Sequence, residues 1–213
     1  MMRRPSKQRL LDLLPDTLVL THGPRGGSDR YLSFDDGPHP VHTPRLLDVL
    51  AAHGVCATFF LIGRNAERYP YLVERIVAAG HSLGNHSWSH PQFGTLDLPE
   101  QLNEIERGDQ VLAAFDGRRR HRFRSPRGTF SLRLLFALAR QGIGLTHWSY
   151  DSLDYQGRPA EELAERLQLR SPRPGDIVLM HDDSACAPAA LERLLPAWRA
   201  AGHTFAPLPA ASA

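Results

Sequence analysis

Short apolar runs alternate with longer stretches of helical period along most of the chain. Residues 30–34 form a strand-like run that stops at Asp35-Asp36-Gly37-Pro38. Thr43 and Pro44 then read as an N-cap followed by proline in the first turn. Leu46, Leu47, Val49 and Leu50 fall on one face of the predicted helix, and Gly54 ends it. Residues 57–62 are apolar almost throughout, as in a strand covered on both faces. A helix is predicted over 66–79 and a weak strand over 81–84. Asp97 and Glu100 around Pro99 predict a capping box, opening a helix that runs to Phe115. A very short fourth strand is predicted at Phe123, and Ser131 caps a helix to Gln141. Strand five is expected over 144–149, its helix over 160–169, strand six over 177–180, a helix over 187–200 and a seventh strand over 203–206. Alternation of this kind, with no linker or composition break, predicts a parallel sheet with helices outside it. The sheet either closes into a small barrel or stays open and doubly wound.

Composition narrows the function classes. Of 213 residues, 42% are hydrophobic and 23% charged, the balance of a globular domain rather than a disordered chain. The 25 basic residues nearly cancel the 23 acidic ones, which gives no electrostatic case for nucleic acid as partner. Met1-Met2-Arg3-Arg4 is basic, but Asp12, Pro15 and Asp16 interrupt the apolar stretch an export signal needs, so a cytoplasmic location is expected. No apolar run reaches bilayer-spanning length, so no membrane insertion is expected. Two cysteines, Cys56 and Cys186, make no framework, and Cys56 reads as an inert core thiol.

The polar clusters fall just beyond predicted strand ends. Asp35 and Asp36 follow strand one, and His86 and His90 follow strand three. Arg124 follows strand four, Asp151 and Asp154 follow strand five, and His181 follows strand six. Singly, each is ordinary: a turn, a solvated pair, one more surface cation. Together they matter, because strand carboxyl ends share one face in parallel α/β folds, where active sites gather. Two imidazoles and a carboxylate are a common ligand set for a catalytic divalent ion. His86 and His90, four apart, can face one way on a helical turn. One Asp of the pair can complete the set while the other takes a proton from water, and His181 suits the acid that protonates a leaving amine. The set describes metal-assisted hydrolysis of an amide or ester.

Five segments resemble, in order, the motifs of the NodB-like polysaccharide deacetylases, carbohydrate esterase family 4. They are Ser33-Phe34-Asp35-Asp36-Gly37-Pro38, His86-Ser87-Trp88-Ser89-His90, Arg124-Ser125-Pro126-Arg127-Gly128, Asp151-Ser152-Leu153-Asp154-Tyr155 and Leu179-Met180-His181. The resemblance runs from Tyr31 to Phe205. It implies an α/β fold, a distorted (β/α)7-type barrel. It also implies a catalytic domain over 30–207, after an N-terminal extension over 1–29 and before a flexible tail over 208–213. It assigns Asp36, His86 and His90 to one divalent ion, usually zinc, with cobalt or another ion able to serve. It makes Asp35 the general base, Arg124 its partner, His181 the acid and Asp154 the carboxylate that orients the acid. Leu179 and Tyr155 line an acetyl pocket, Tyr155 standing for a frequent Trp, and the Arg127 backbone N–H donates to the oxyanion.

Ser33 replaces a usual Thr, and Ser125 and Arg127 replace a common Pro and Tyr, which brings a guanidinium to the mouth of the site. The expected activity is removal of an N-acyl group, acetyl above all, from an amino sugar or oligosaccharide: cleavage of a linear, non-peptide amide C–N bond with metal-bound water as nucleophile. An O-deacetylase or a deacylase or deformylase of a carrier-linked sugar is the nearest alternative. A glycan-binding barrel without turnover is the alternative of another class.

Overall fold

The computed structural model describes residues 11–24 and 26–210. The basic start of the chain and residues 211–213 of the expected tail lie outside them. Among the described residues nine strands form one sheet: β1 (Val19–Leu20), β2 (Asp29–Asp35), β3 (Thr58–Leu61), β4 (Ser82–Asn85), β5 (Arg122–Phe123), β6 (Leu145–Thr146), β7 (Tyr150–Asp151), β8 (Ile177–His181) and β9 (Thr204–Phe205). The order is β1-β6-β5-β4-β3-β2-β8-β7, with β9 paired to the start of β2, and every ladder is parallel. The curled sheet does not close by a ladder. An isolated antiparallel bridge joins His22, just after β1, to Asp176, just before β8. The helices are α1 (His42–Ala52), α2 (Gly63–Arg68), α3 (Pro70–Ala78), α4 (Leu98–Asp116), α5 (Leu132–Arg140), α6 (Ala160–Leu169) and α7 (Cys186–Ala200). None of the helices described is long and apolar enough to cross a membrane.

Period-two alternation sorts the central strands into two faces. Leu32 and Phe34 of β2, Phe59 and Leu61 of β3, and Val178 and Met180 of β8 join a core with α1, α6 and α7. The other face carries Tyr31, Phe60 and Ile177, packed together inside the curl. Register then stacks Tyr31 beside Ile177, Ser33 beside Leu179 and Asp35 beside His181. One face of two neighbouring strands thus runs from an apolar plug at its base to two ionisable groups at its carboxyl end.

Several elements differ from their sequence expectation. The helix predicted over 66–79 is two helices, because Tyr69 precedes Pro70 and is kept out of the helical region, at φ −129° and ψ 56°. Strand five is also two. β6 pairs with β5 and β1, whereas β7 pairs with β8 at the far edge, so 147–149 cross the open seam of the barrel. Thr43 does not cap α1: its hydroxyl donates to Asp182 Oδ2 at 2.6 Å and accepts from the His39 N–H at 2.7 Å. The expected extension over 1–29 supplies β1, with Val19 and Leu11 buried. Leu208, placed in the tail, is buried, and its N–H donates to Thr58 Oγ1 at 2.8 Å. Cys56 is half-buried rather than in the core, and both cysteines are free.

Candidate active site

Asp35 ends β2 and Asp36 follows it, His86 and His90 follow β4, Arg124 follows β5, Asp154 follows β7, and His181 ends β8. Parallel pairing brings all of them to one end of the curl. Asp35, Asp36, His86, His90, Leu179 and His181 line a cavity of about 360 Å³, together with Arg127, Gly128, Trp148 and Tyr155. Arg124 and Asp154 are buried just behind it.

Asp36, His86 and His90 each offer a ligand atom, all within 4.8 Å of one another. Asp36 Oδ1 lies 3.4 Å from His86 Nε2 and 3.3 Å from His90 Nε2. That oxygen is buried and has no hydrogen-bond partner. His86 Nδ1 donates to the Arg124 carbonyl at 2.7 Å, which presents Nε2 as the free nitrogen. One unpartnered carboxylate oxygen facing two imidazoles fits a divalent ion. Burial opposes the charge on Asp36, but the adjoining imidazoles of His86, His90 and His181 hold its pKa down at about 2. The two histidines do not share a helical turn. Residues 86–90 form a loop in which Ser87 and His90 take positive φ, 68° and 56°.

Asp35 is held from behind. Arg124 Nη1 donates to Asp35 Oδ1 at 2.7 Å and to Ser33 Oγ at 2.8 Å, and the guanidinium lies 4.0 Å from the centre of the Phe60 ring. Ser33 in turn donates to the Val178 carbonyl at 2.7 Å. Asp35 Oδ2 stays on the cavity side, 3.8 Å from His86 Nε2. Asp154 grips His181 twice: its Oδ1 accepts from the ring Nδ1 at 2.9 Å and its Oδ2 from the backbone N–H at 2.7 Å. Burial works against a charged His181. The Asp154 hydrogen bond and the charges of Asp154, Asp35 and Asp36 outweigh it and push the pKa up to about 9. Tyr155 meets the imidazole edge-on at 5.5 Å. Asp151, also noted beyond strand five, accepts from the Leu153 N–H and the Tyr155 hydroxyl instead of joining the cavity.

Trp148 escaped the sequence reading. It lies in the seam segment between β6 and β7, stacked on His147 at 4.0 Å. Gly128, with φ 61°, leaves it room: a Cβ there would lie 2.7 Å from the Trp148 ring. An aromatic residue two positions beyond a strand end was the available signal, and reading 144–149 as one continuous strand hid it.

The family profile described as Polysaccharide deacetylase matches residues 22–145. A chitooligosaccharide deacetylase of Sinorhizobium fredii is 40% identical over 207 residues, spanning 87% of this chain and 94% of the relative. A peptidoglycan-N-acetylglucosamine deacetylase of Bacillus cereus is 34% identical over 191 residues, covering 88% of this chain and 69% of its own length. A crystal structure of a peptidoglycan N-acetylglucosamine deacetylase superposes with a TM-score of 0.83 at 33% identity, covering 89% of this chain and 90% of that one.

Proposed function

The chain belongs to the polysaccharide deacetylase family, and from that premise we propose that it is a metal-dependent hydrolase that removes an N-acyl group, acetyl above all, from an amino sugar or oligosaccharide. The observation that carries the metal reading is Asp36 Oδ1, buried without a hydrogen bond between two imidazole Nε2 atoms. Asp36, His86 and His90 would hold the ion, zinc or cobalt. Such an ion polarises a carbonyl and makes water acidic enough to react near neutral pH.

The protein groups supply the rest. Asp35 accepts a proton from the attacking water, and Arg124 keeps its carboxylate oriented. His181 gives its proton to the leaving nitrogen from Nε2, because Nδ1 is committed to Asp154. The Arg127 N–H stabilises the developing oxyanion, the role its motif position carries. Leu179 and Tyr155 bound the space for the acyl methyl. The exposed Arg127 side chain at the cavity wall favours a substrate that also carries an anionic group, since a guanidinium pairs well with phosphate or carboxylate.

Acyl release from N-acetylated chito-oligomers and nucleotide-linked amino sugars tests the reading. Chelation should abolish turnover, and added zinc or cobalt should restore it. Asp35→Asn should keep metal uptake and lose turnover on the order of 10²-fold or more. Full activity in a preparation shown to be metal-free would overturn the proposal.

A further inference from the structure

A buried polar chain leads away from the paired imidazoles, and the mechanism above makes no use of it. Asn85 is fully buried at the end of β4, one residue before His86. Its Oδ1 accepts from the Ser87 N–H at 2.9 Å, and its Nδ2 donates to the Ile105 carbonyl at 2.7 Å and to Asp109 Oδ1 at 3.0 Å, both on α4. The same Asp109 oxygen accepts from His121, from its N–H at 3.2 Å and its Nδ1 at 3.0 Å. His121 Nε2 lies 3.1 Å from Asp116 Oδ1. Toward the site, Ser87 Oγ accepts from the His90 N–H at 2.9 Å. The path Asp116–His121–Asp109–Asn85–Ser87–His90 is therefore unbroken.

The chemistry of each link fixes a direction. Both His121 nitrogens face carboxylate oxygens, so both donate and the ring is cationic. Burial opposes that charge, but the hydrogen bond His121 donates to Asp109 and the charges of Asp116 and Asp109 raise the pKa. Asp109 Oδ1 already accepts from two His121 N–H groups, so the amide of Asn85 turns its NH₂ toward α4 and its oxygen toward Ser87. Helix α4 comes as near as a glycine allows: a Cβ on Gly108 would meet Asn85 Oδ1 at 2.4 Å. Ser87 and His90 hold left-handed backbone conformations that cost free energy and persist only where surrounding structure imposes them.

We infer that Asp109 and His121 are positioning residues for the metal ligands: by locking the Asn85 amide they set the Ser87 turn that aims His86 and His90 at one point. The inference rests on the metal role proposed for those two histidines. Outer hydrogen-bond partners of metal ligands typically change affinity by about 10- to 100-fold when removed.

The test is cobalt titration of the metal-free full-length chain, followed by visible absorption, with zinc affinity measured by competition. Asp109→Ala, which removes the carboxylate that holds the Asn85 amide and His121, should weaken both affinities about 10- to 100-fold, while KM at saturating metal stays near the wild-type value. Leu194→Ala, in the core on the outer face, should lower the melting temperature and leave metal affinity unchanged. Wild-type affinity in a folded Asp109→Ala protein, or an equal loss in Leu194→Ala, would overturn the inference. If Asp109→Ala does not fold, Ser87→Gly decides: it accommodates the left-handed backbone and removes the acceptor of the His90 N–H, and wild-type affinity there overturns the inference too. Failure of the metal reading looks different: the wild-type chain takes up no cobalt, or His90→Ala binds it as tightly as wild type.

Discussion

Five non-glycine residues take positive φ among the described residues: Asp36, Ser87, His90, Arg127 and Leu153. Each is a site residue or adjoins one. Such conformations concentrate where function needs a side chain that relaxed backbone would not deliver. At the same scale, Asp154 holds His181, the proposed acid, by two hydrogen bonds. His181 keeps its proton from its ordinary range near 6.5 up to about 9, so the acid form persists through neutral pH and is lost as pH rises through that value. The stability gained from the pair has the same sign: complete below the ordinary pKa and lost toward the raised one. Asp154→Asn removes the main raising influence and leaves burial, which lowers, opposed only by the smaller effects of Asp35 and Asp36. The alkaline limb of kcat/KM should therefore move to lower pH, and a limb that stays in place would remove His181 from the acid role. Arg127→Tyr should raise KM for an anionic amino-sugar conjugate about two- to five-fold, the worth of one exposed ion pair. KM for a neutral chito-oligomer should not change, and parallel measurement of the two substrates checks this.

Element boundaries follow local chemistry where the signal is local. The capping box of α4 is present as the sequence predicts: Asp97 Oδ1 accepts from the Glu100 N–H at 2.9 Å, and Glu100 Oε2 accepts from the Asp97 N–H at 2.8 Å. Ser131 likewise accepts from the Leu134 N–H at the start of α5. Asp97→Ala should cost about 1 kcal/mol in denaturant unfolding, the usual worth of an N-cap, with metal uptake unchanged because Asp109 lies three turns further along α4. Thr43 shows the opposite case. Its position invites a cap, but its hydroxyl is engaged by buried Asp182, a residue far away in sequence. The two-residue strands β1, β6 and β7 are equally illegible from periodicity, since two residues carry no period. Their pairing partners define them.

On the scale of the whole molecule, the parallel sheet does the assembling. Asp36 comes from the end of β2, and His86 and His90 come from the end of β4, with β3 between those strands. An ion held by all three ties together segments that the unfolded chain keeps apart, so it binds the folded state alone. Added zinc should raise the melting temperature of the wild-type chain, by the equivalent of about 2.7 kcal/mol at 100 times Kd. It should not raise that of His90→Ala, and thermal denaturation with and without metal makes the comparison.

Residue identity and spacing alone determined much of this protein. The alternation of apolar runs, the caps at Asp97 and Ser131, and the placement of Asp35, His86, Arg124, Asp154 and His181 beyond strand ends are properties of neighbours in the chain. So are the five motifs that carry the family resemblance. Tertiary structure decided what depends on distant segments meeting. From spacing alone the two aspartates were interchangeable; Arg124 reaching Asp35, and two imidazoles facing Asp36, make them different. The left-handed turn at His86–His90, the seam that carries Trp148, and the buried ion pair behind Asn85 have the same origin. Each requires desolvated contact between residues from separate elements, and local propensity contains no account of burial or of the charge standing opposite.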